Sequence, residues 1–119
     1  MAALVRYGLP PIDDALALHR RKRVGMALGF AWDPHKAAAN FRKHRVSFHE
    51  ARTAFADPLG RVVDDPRHSM GEERNVLLGS TERGRLVAVM FTERAETIRI
   101  ISARLVTRRE RIDYEEGHG

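Results

Sequence analysis

The stretch "DPHKAAANFRKHRVSFHEA", residues 33–51, holds two helix starts in tandem. Asp33 is a preferred N-cap residue, and Pro34 suits the first helical position, where no amide hydrogen is needed. Ala37, Phe41 and His44 follow at i, i+4 and i+7, so the spacing predicts one helix ending near His44. Ser47 and Glu50 then make the S-x-x-E pattern of a capping box, which opens a second helix. Phe48, Ala51 and Phe55 give that helix an apolar stripe, and "DPLG" (57–60) ends it. Between the two helices, Lys43, His44 and Arg45 stand together in the turn.

Working outward, "ALGFAW" (27–32) reads as a strand ahead of the helices. Four strand patterns follow them: "GRVVDD" (60–65), "RNVLLGS" (74–80), "RLVAVMFT" (85–92) and "TIRIISARL" (97–105). The third is apolar on both faces, which predicts a central strand. "TERG" and "TERAE" are short enough for hairpin links, with Gly84 free to take a positive φ. The loop "DPRHSMGEE" (65–73) is longer and polar. Thr107 and Glu110 make another capping box, opening a last helix that Gly117 can stop. The order β-α-α-β-β-β-β-α predicts an α+β fold, an antiparallel sheet with two helices before it and one after.

The chain has 119 residues, which suits one core; 43% are hydrophobic and 31% charged. It has no cysteine, which excludes a disulfide framework, a Cys-based zinc site and a thiol nucleophile. A reducing cytoplasm fits that composition. No apolar run approaches the roughly 20 residues of a membrane span. Net charge is +5, but residues 1–29 alone carry five basic and two acidic side chains, so the remainder is only mildly basic. Its basic residues are nearly all Arg, which suits bidentate contact with phosphate and equally suits ordinary surface solvation. Residues 1–26 do not share the regular pattern and read as an extension, either a flexible arm or a non-native start, with Met26 a natural beginning; the domain is expected over 27–117.

Several spaced motifs resemble the BrnT family of type II toxins. They are "WD" (32–33) with Lys36, "KH" (43–44) followed by "SF" (47–48) and "EA" (50–51), "GEER" (71–74), "RIISAR" (99–104), "RRER" (108–111) and Tyr114. The similarity runs from about Phe30 to Gly117. It implies a RelE-like fold and a ribonuclease that blocks translation. It also implies a BrnA-type antitoxin carrying a ribbon-helix-helix part, and contact with operator DNA through the toxin–antitoxin complex. One position departs: the family usually has Gly after "KH", a helix C′ residue in the left-handed conformation, and this chain has Arg45.

RNA cleavage by internal attack needs a base for the 2′-hydroxyl, cations for the phosphate and an acid for the leaving oxygen. His44 is the first candidate for base or acid, against the alternative that it packs at a helix end. Lys43 and Lys36 can hold phosphates or simply face solvent. Arg74, Arg99 and Arg104 come from the sheet region; a phosphate clamp accounts for them, and so do ion pairs with Glu72, Glu73 or Glu96. Strict alternation places Arg99 and Arg104 on opposite faces, so a bulge is needed to aim both at one site. The catalytic set is therefore His44, Lys43, Arg74 and Arg104. The RNA-binding set is Lys36, Arg99, Arg108, Arg109 and Tyr114. Tyr114 can stack on a base or pack in the core, and its helix can equally face the antitoxin. No metal and no cofactor is expected, since neither the Asp64, Asp65, His68 group nor the His44, His49 pair has a zinc spacing. The alternative function is a non-catalytic nucleic-acid-binding or co-repressor module of the same fold.

Overall fold

In the computed structural model, which describes residues 29–64 and 74–117, the apolar run around Val89 is the middle strand of a five-stranded sheet. The elements are β1 (Gly29–Ala31), α1 (Pro34–His44), α2 (Phe48–Thr53) with a following 3-10 turn (Ala54–Ala56), β2 (Arg61–Asp64), β3 (Asn75–Ser80), β4 (Leu86–Arg94), β5 (Thr97–Leu105) and α3 (Arg108–Glu116). The strand order is β1-β5-β4-β3-β2. β1 runs parallel to β5 and every other pair is antiparallel, so the sheet is mixed. The expected extension over residues 1–26 and the loop 65–73 lie outside the described residues.

The caps work as the residue types dictate. The Asp33 carboxylate accepts from His35 N at 2.8 Å, and Ser47 Oγ accepts from Glu50 N at 2.9 Å. At α3 the capping box is reciprocal: Thr107 Oγ1 accepts from Glu110 N, and the Glu110 carboxylate accepts from Thr107 N. Gly84 takes φ +78 in the β3–β4 hairpin. The β4–β5 link tightens to Ala95 and Glu96, with Ala95 at φ 53.

α1 and α2 cover one face of the sheet. Val46, Phe48, Ala51, Ala54 and Phe55 pack there on Leu77, Val87, Val89, Phe91, Ile98 and Ile100. The rings of Phe55 and Phe91 meet edge to face at 5.1 Å, a geometry aromatic quadrupoles favour. Gly79 permits close approach, since a Cβ there would sit 2.9 Å from the Ala54 carbonyl oxygen. α3 covers part of the other face, where Tyr114 and Val106 pack beside Val76, Leu78, Ala88 and Met90.

Two local expectations are corrected. Phe41 does not belong to the buried stripe of α1; it is 42% exposed, and Asn40 turns into the core instead. Glu50 begins α2 without returning to the Ser47 amide. Its carboxylate is drawn away by Arg85, which donates from Nε to Oε2 at 2.9 Å, and by the Thr81 hydroxyl at 2.8 Å.

The register between β4 and β5 slips once. Phe91 pairs with Ile100 and Met90 with Ser102, leaving Ile101 as an extra residue. This bulge resets the alternation. Ile98, Ile100 and Ala103 oppose odd-numbered β4 residues and face α1 and α2; Arg99, Ser102 and Arg104 oppose Thr92, Met90 and Ala88 and face the other way.

Candidate functional site

Lys43 and His44 occupy the last turn of α1, and Arg45 ends it. The Arg45 backbone is left-handed, φ 59 and ψ 27, and its N–H donates to Phe41 O at 2.8 Å. That conformation costs a non-glycine residue about 1 kcal/mol. Two contacts offset the cost: the guanidinium stacks over the Phe41 ring at 5.3 Å, and the Arg45 carbonyl accepts from Arg85 Nη2 at 2.9 Å. Asn40, 8% exposed, bolts this turn to the sheet. Its Nδ2 donates to Val46 O at 3.0 Å and Ala103 O at 2.8 Å, while its Oδ1 accepts from Ala103 N at 3.1 Å. The amide thus stands where a further strand would pair, because β1 reaches β5 only as far as Arg99.

These constraints set His44 and Lys43 at the mouth of an open cleft of about 540 Å³, lined also by Arg74, Met90, Ile101, Ser102 and Arg104. Met90, Ile101 and Ser102 supply its less polar wall, where Ser102 Oγ donates to Met90 Sδ at 3.1 Å. Among the described residues the cleft's polar groups are one imidazole, three cations and the Ser102 hydroxyl. Arg74 Nε is buried with no hydrogen-bond partner among the described residues, and a buried guanidinium N–H in that state favours an anionic acceptor. Arg104 is oriented by α3. Nη1 donates to Glu110 Oε1 at 2.8 Å and Nη2 to Oε2 at 2.9 Å, and Nη1 also reaches Leu105 O at 3.2 Å. The hydrogen bond from Arg104 holds the Glu110 carboxyl below the usual carboxylate range, against the opposing effect of burial.

The cleft therefore gathers His44, Lys43, Arg74 and Arg104 from α1, the start of β3 and β5. The other expected residues fall elsewhere. Arg99 lines a separate cleft of about 450 Å³ with Ala31, Arg94 and Thr97. Lys36, Arg108 and Arg109 are exposed and are not among the lining residues. Tyr114 packs against the core under α3 and donates its hydroxyl to Asp57 Oδ2 at 2.7 Å. Burial, then the Asp57 bond, pushes its phenol upward from the ordinary tyrosine range. Among the described residues no group of His, Asp and Glu is arranged to hold a metal ion, and no helix is long and apolar enough to cross a membrane.

A cleft of one imidazole and converging cations is suited to an anion that must gain or lose a proton. The family profile described as "Ribonuclease toxin, BrnT, of type II toxin-antitoxin system" matches residues 32–110, more than half of the chain. The chain belongs to the BrnT family. Among solved structures it is similar to the crystal structure of the Brucella abortus ribonuclease toxin BrnT, with a TM-score of 0.53 and 19% identity over 67% of this chain and 97% of that one. Among curated proteins no sequence matches it. The shared α+β architecture includes the three helices and the mixed sheet.

The span matched to the BrnT family contains every residue lining the larger cleft, and Glu110; Tyr114 lies beyond it. As a type II toxin family, it implies an RNA substrate and an antitoxin partner. Arg45 takes the left-handed conformation that a Gly after "KH" is suited to, so the turn is kept rather than replaced. Two contributors were not singled out from the sequence. Asn40 left one signal, a polar residue interrupting "KAAANF". Glu110 was visible as a cap, but its second task, holding Arg104, depends on contact across six residues and a strand end.

Proposed function

We propose that the cleft cleaves RNA by internal attack of the 2′-hydroxyl, without a metal ion, and that this activity blocks translation. The observation that carries the reading is the meeting of Lys43, His44, Arg74 and Arg104 in one cleft from three separate segments. Among the described residues the ionisable groups lining the cleft are His44, Lys43, Arg74 and Arg104, the last three being side-chain cations suited to a phosphate. His44 exchanges the proton, as base toward the 2′-hydroxyl or acid toward the departing 5′-oxygen. Lys43 and Arg74 stabilise charge growing on the phosphate, and Arg104, aligned by Glu110, orients it. Lys36, Arg108 and Arg109 contribute diffuse attraction for the polyanion. A BrnA-type antitoxin neutralises the toxin in the cytoplasm and carries the complex to operator DNA.

The test is cleavage of a defined RNA by the full chain and by His44→Ala, with and without EDTA. The expected result is cleavage that persists in EDTA, leaves a 2′,3′-cyclic phosphate, and falls at least about a hundredfold in the variant. Loss of all cleavage on chelation would overturn the metal-free mechanism.

One observation favours a second reading, a non-catalytic co-repressor. The Arg104 fork already holds a carboxylate, which leaves fewer donors for phosphate. That reading expects salt-sensitive nucleic-acid binding, strengthened by antitoxin, with no RNA cut under any condition.

A further inference from the structure

Resting on the ribonuclease reading, we propose that the cleft lined by Ala31, Arg94, Thr97 and Arg99 is a second phosphate subsite. It holds a backbone phosphodiester of the same single RNA strand, outside the scissile linkage. The bulge at Ile101 is the first reason. Without that extra residue, Arg99 and Arg104 would point to opposite faces of β5, and one would enter the core beneath α1 and α2. With it, Arg99 opposes Thr92 and Arg104 opposes Ala88, on one face of the sheet.

The second reason is the ground between the clefts. Arg94 pairs with Thr97 and Thr92 with Arg99, so Arg94 and Arg99 are diagonal neighbours on that same face. Arg74 precedes Asn75, which pairs with Phe91; the next register position puts Arg74 beside Thr92. Thr92 is only 2% exposed, and its hydroxyl has no partner among the described residues, like Arg74 Nε. Thr92 is too buried to touch a ligand, but by register it places Arg74 next to the Arg94–Arg99 pair on one face, so the two arginine-bearing clefts adjoin along the sheet.

Spacing makes the ligand a strand rather than one phosphate. Arg99 and Arg104 are five residues apart on β5, about 15 Å at the strand rise. That exceeds the reach of one phosphate group, whereas an extended strand presents phosphates repeatedly. The subsite thus adds affinity and position for RNA longer than the cleaved step.

The test uses the full chain with two substrates, a dinucleotide and a single strand of about ten nucleotides, a length typical of an extended groove. The wild type is expected to cleave both and to favour the longer one. In Arg99→Ala, and separately in Arg94→Ala, that length preference in kcat/KM should shrink about tenfold, as loss of a charge-assisted contact implies. Binding of the longer strand in uncleavable 2′-deoxy form should lose about 0.7 in salt slope per phosphate contact removed. Arg99→Lys keeps the charge and should recover part of both effects; it also serves if Arg99→Ala does not fold. An unchanged length preference and salt slope in folded variants overturns the subsite. If the wild type cleaves neither substrate, the ribonuclease reading falls first and the subsite with it.

Discussion

Arg104 and Glu110 meet fork to fork, with two nitrogen–oxygen distances of 2.8 and 2.9 Å, and Glu110 at the same time caps the helix it begins. One carboxylate therefore fixes both the start of α3 and the aim of an arginine in the cleft. Glu110→Gln separates the two tasks, because Gln still serves at N3 of a capping box but has no charge and only one acceptor oxygen. Thermal stability should change by less than about 1 kcal/mol, the scale of a partly exposed pair. Cleavage of RNA should fall mainly in kcat with KM little altered, and Glu110→Asp should restore less than the wild-type rate. Steady-state kinetics on one RNA substrate measures this. A variant as fast as wild type would show that Arg104 needs no such support.

Glu50 makes a pH prediction. It is 4% exposed, and hydrogen bonding from Arg85, the largest cause, holds its carboxyl below the ordinary value. A folded-state pKa below the unfolded one means stability that is present above the unfolded value, about 4.3, and lost as pH falls through the lower folded one. Arg85 is 31% exposed, so solvent screens the pair and removing the Glu50 charge costs less than the roughly 3 kcal/mol of a fully buried one. Glu50→Gln should therefore unfold at lower denaturant concentration at neutral pH, and its stability should fall less than that of the wild type between about pH 5 and pH 2. Urea melts across that range are the measurement, and parallel pH curves for the two proteins would contradict it.

These two carboxylates show what a linear sequence displays. Both sit at the third position after a hydroxyl cap, so both read as capping residues. Only Glu110 completes the box; Glu50 is claimed by Arg85, 35 residues away, once the β3–β4 hairpin folds against α2. Caps, alternation and apolar stripes are local, so the element order and the central place of β4 were legible. The Phe41 stripe was not, because helical spacing does not say which side meets a sheet, and Asn40 competes for that side by bonding a strand edge. The bulge was legible only as a requirement. Its position at Ile101 follows from the packing of Ile100 and Ala103 against one core, which pairwise alternation does not encode. In the candidate site, the grouping of Lys43, His44, Arg74 and Arg104 came from chemistry and resemblance together. Tyr114 reads from sequence as stacking or packing; in the fold it packs beside Val76 and Leu78 and donates its hydroxyl to Asp57, a partner 57 residues away that no local pattern indicates.

Asn40 should be intolerant of change. Asn40→Ala removes partners from Val46 O, Ala103 O and Ala103 N at once, and each buried backbone group left unpaired costs about 1–3 kcal/mol where water cannot replace the amide. A loss of about 2 kcal/mol or more is expected from chemical denaturation. Asn40→Asp keeps Oδ1 for Ala103 N but turns two donations into repulsion between oxygens, so it should be no better. Hydrogen exchange at the Ala103 amide gives a local check: it should accelerate in Asn40→Ala more than amides of β3 do. Equal acceleration throughout would mean that only global stability had changed.

Arg45→Gly tests the turn that places His44. Glycine adopts φ 59 without the roughly 1 kcal/mol that a side chain costs there. The substitution also discards the stacking of the guanidinium on Phe41, worth about 0.5 kcal/mol at an exposed site. The donation from Arg85 to the residue 45 carbonyl is backbone-directed and survives. The balance predicts a gain of about 0.5 kcal/mol in stability, with RNA cleavage within about twofold of wild type. Denaturant midpoints and initial cleavage rates, measured side by side, decide it. A stabilised variant that has lost activity would place the Arg45 side chain itself at the RNA, whereas a destabilised one would mean that stacking on Phe41 outweighs the strain of the left-handed turn.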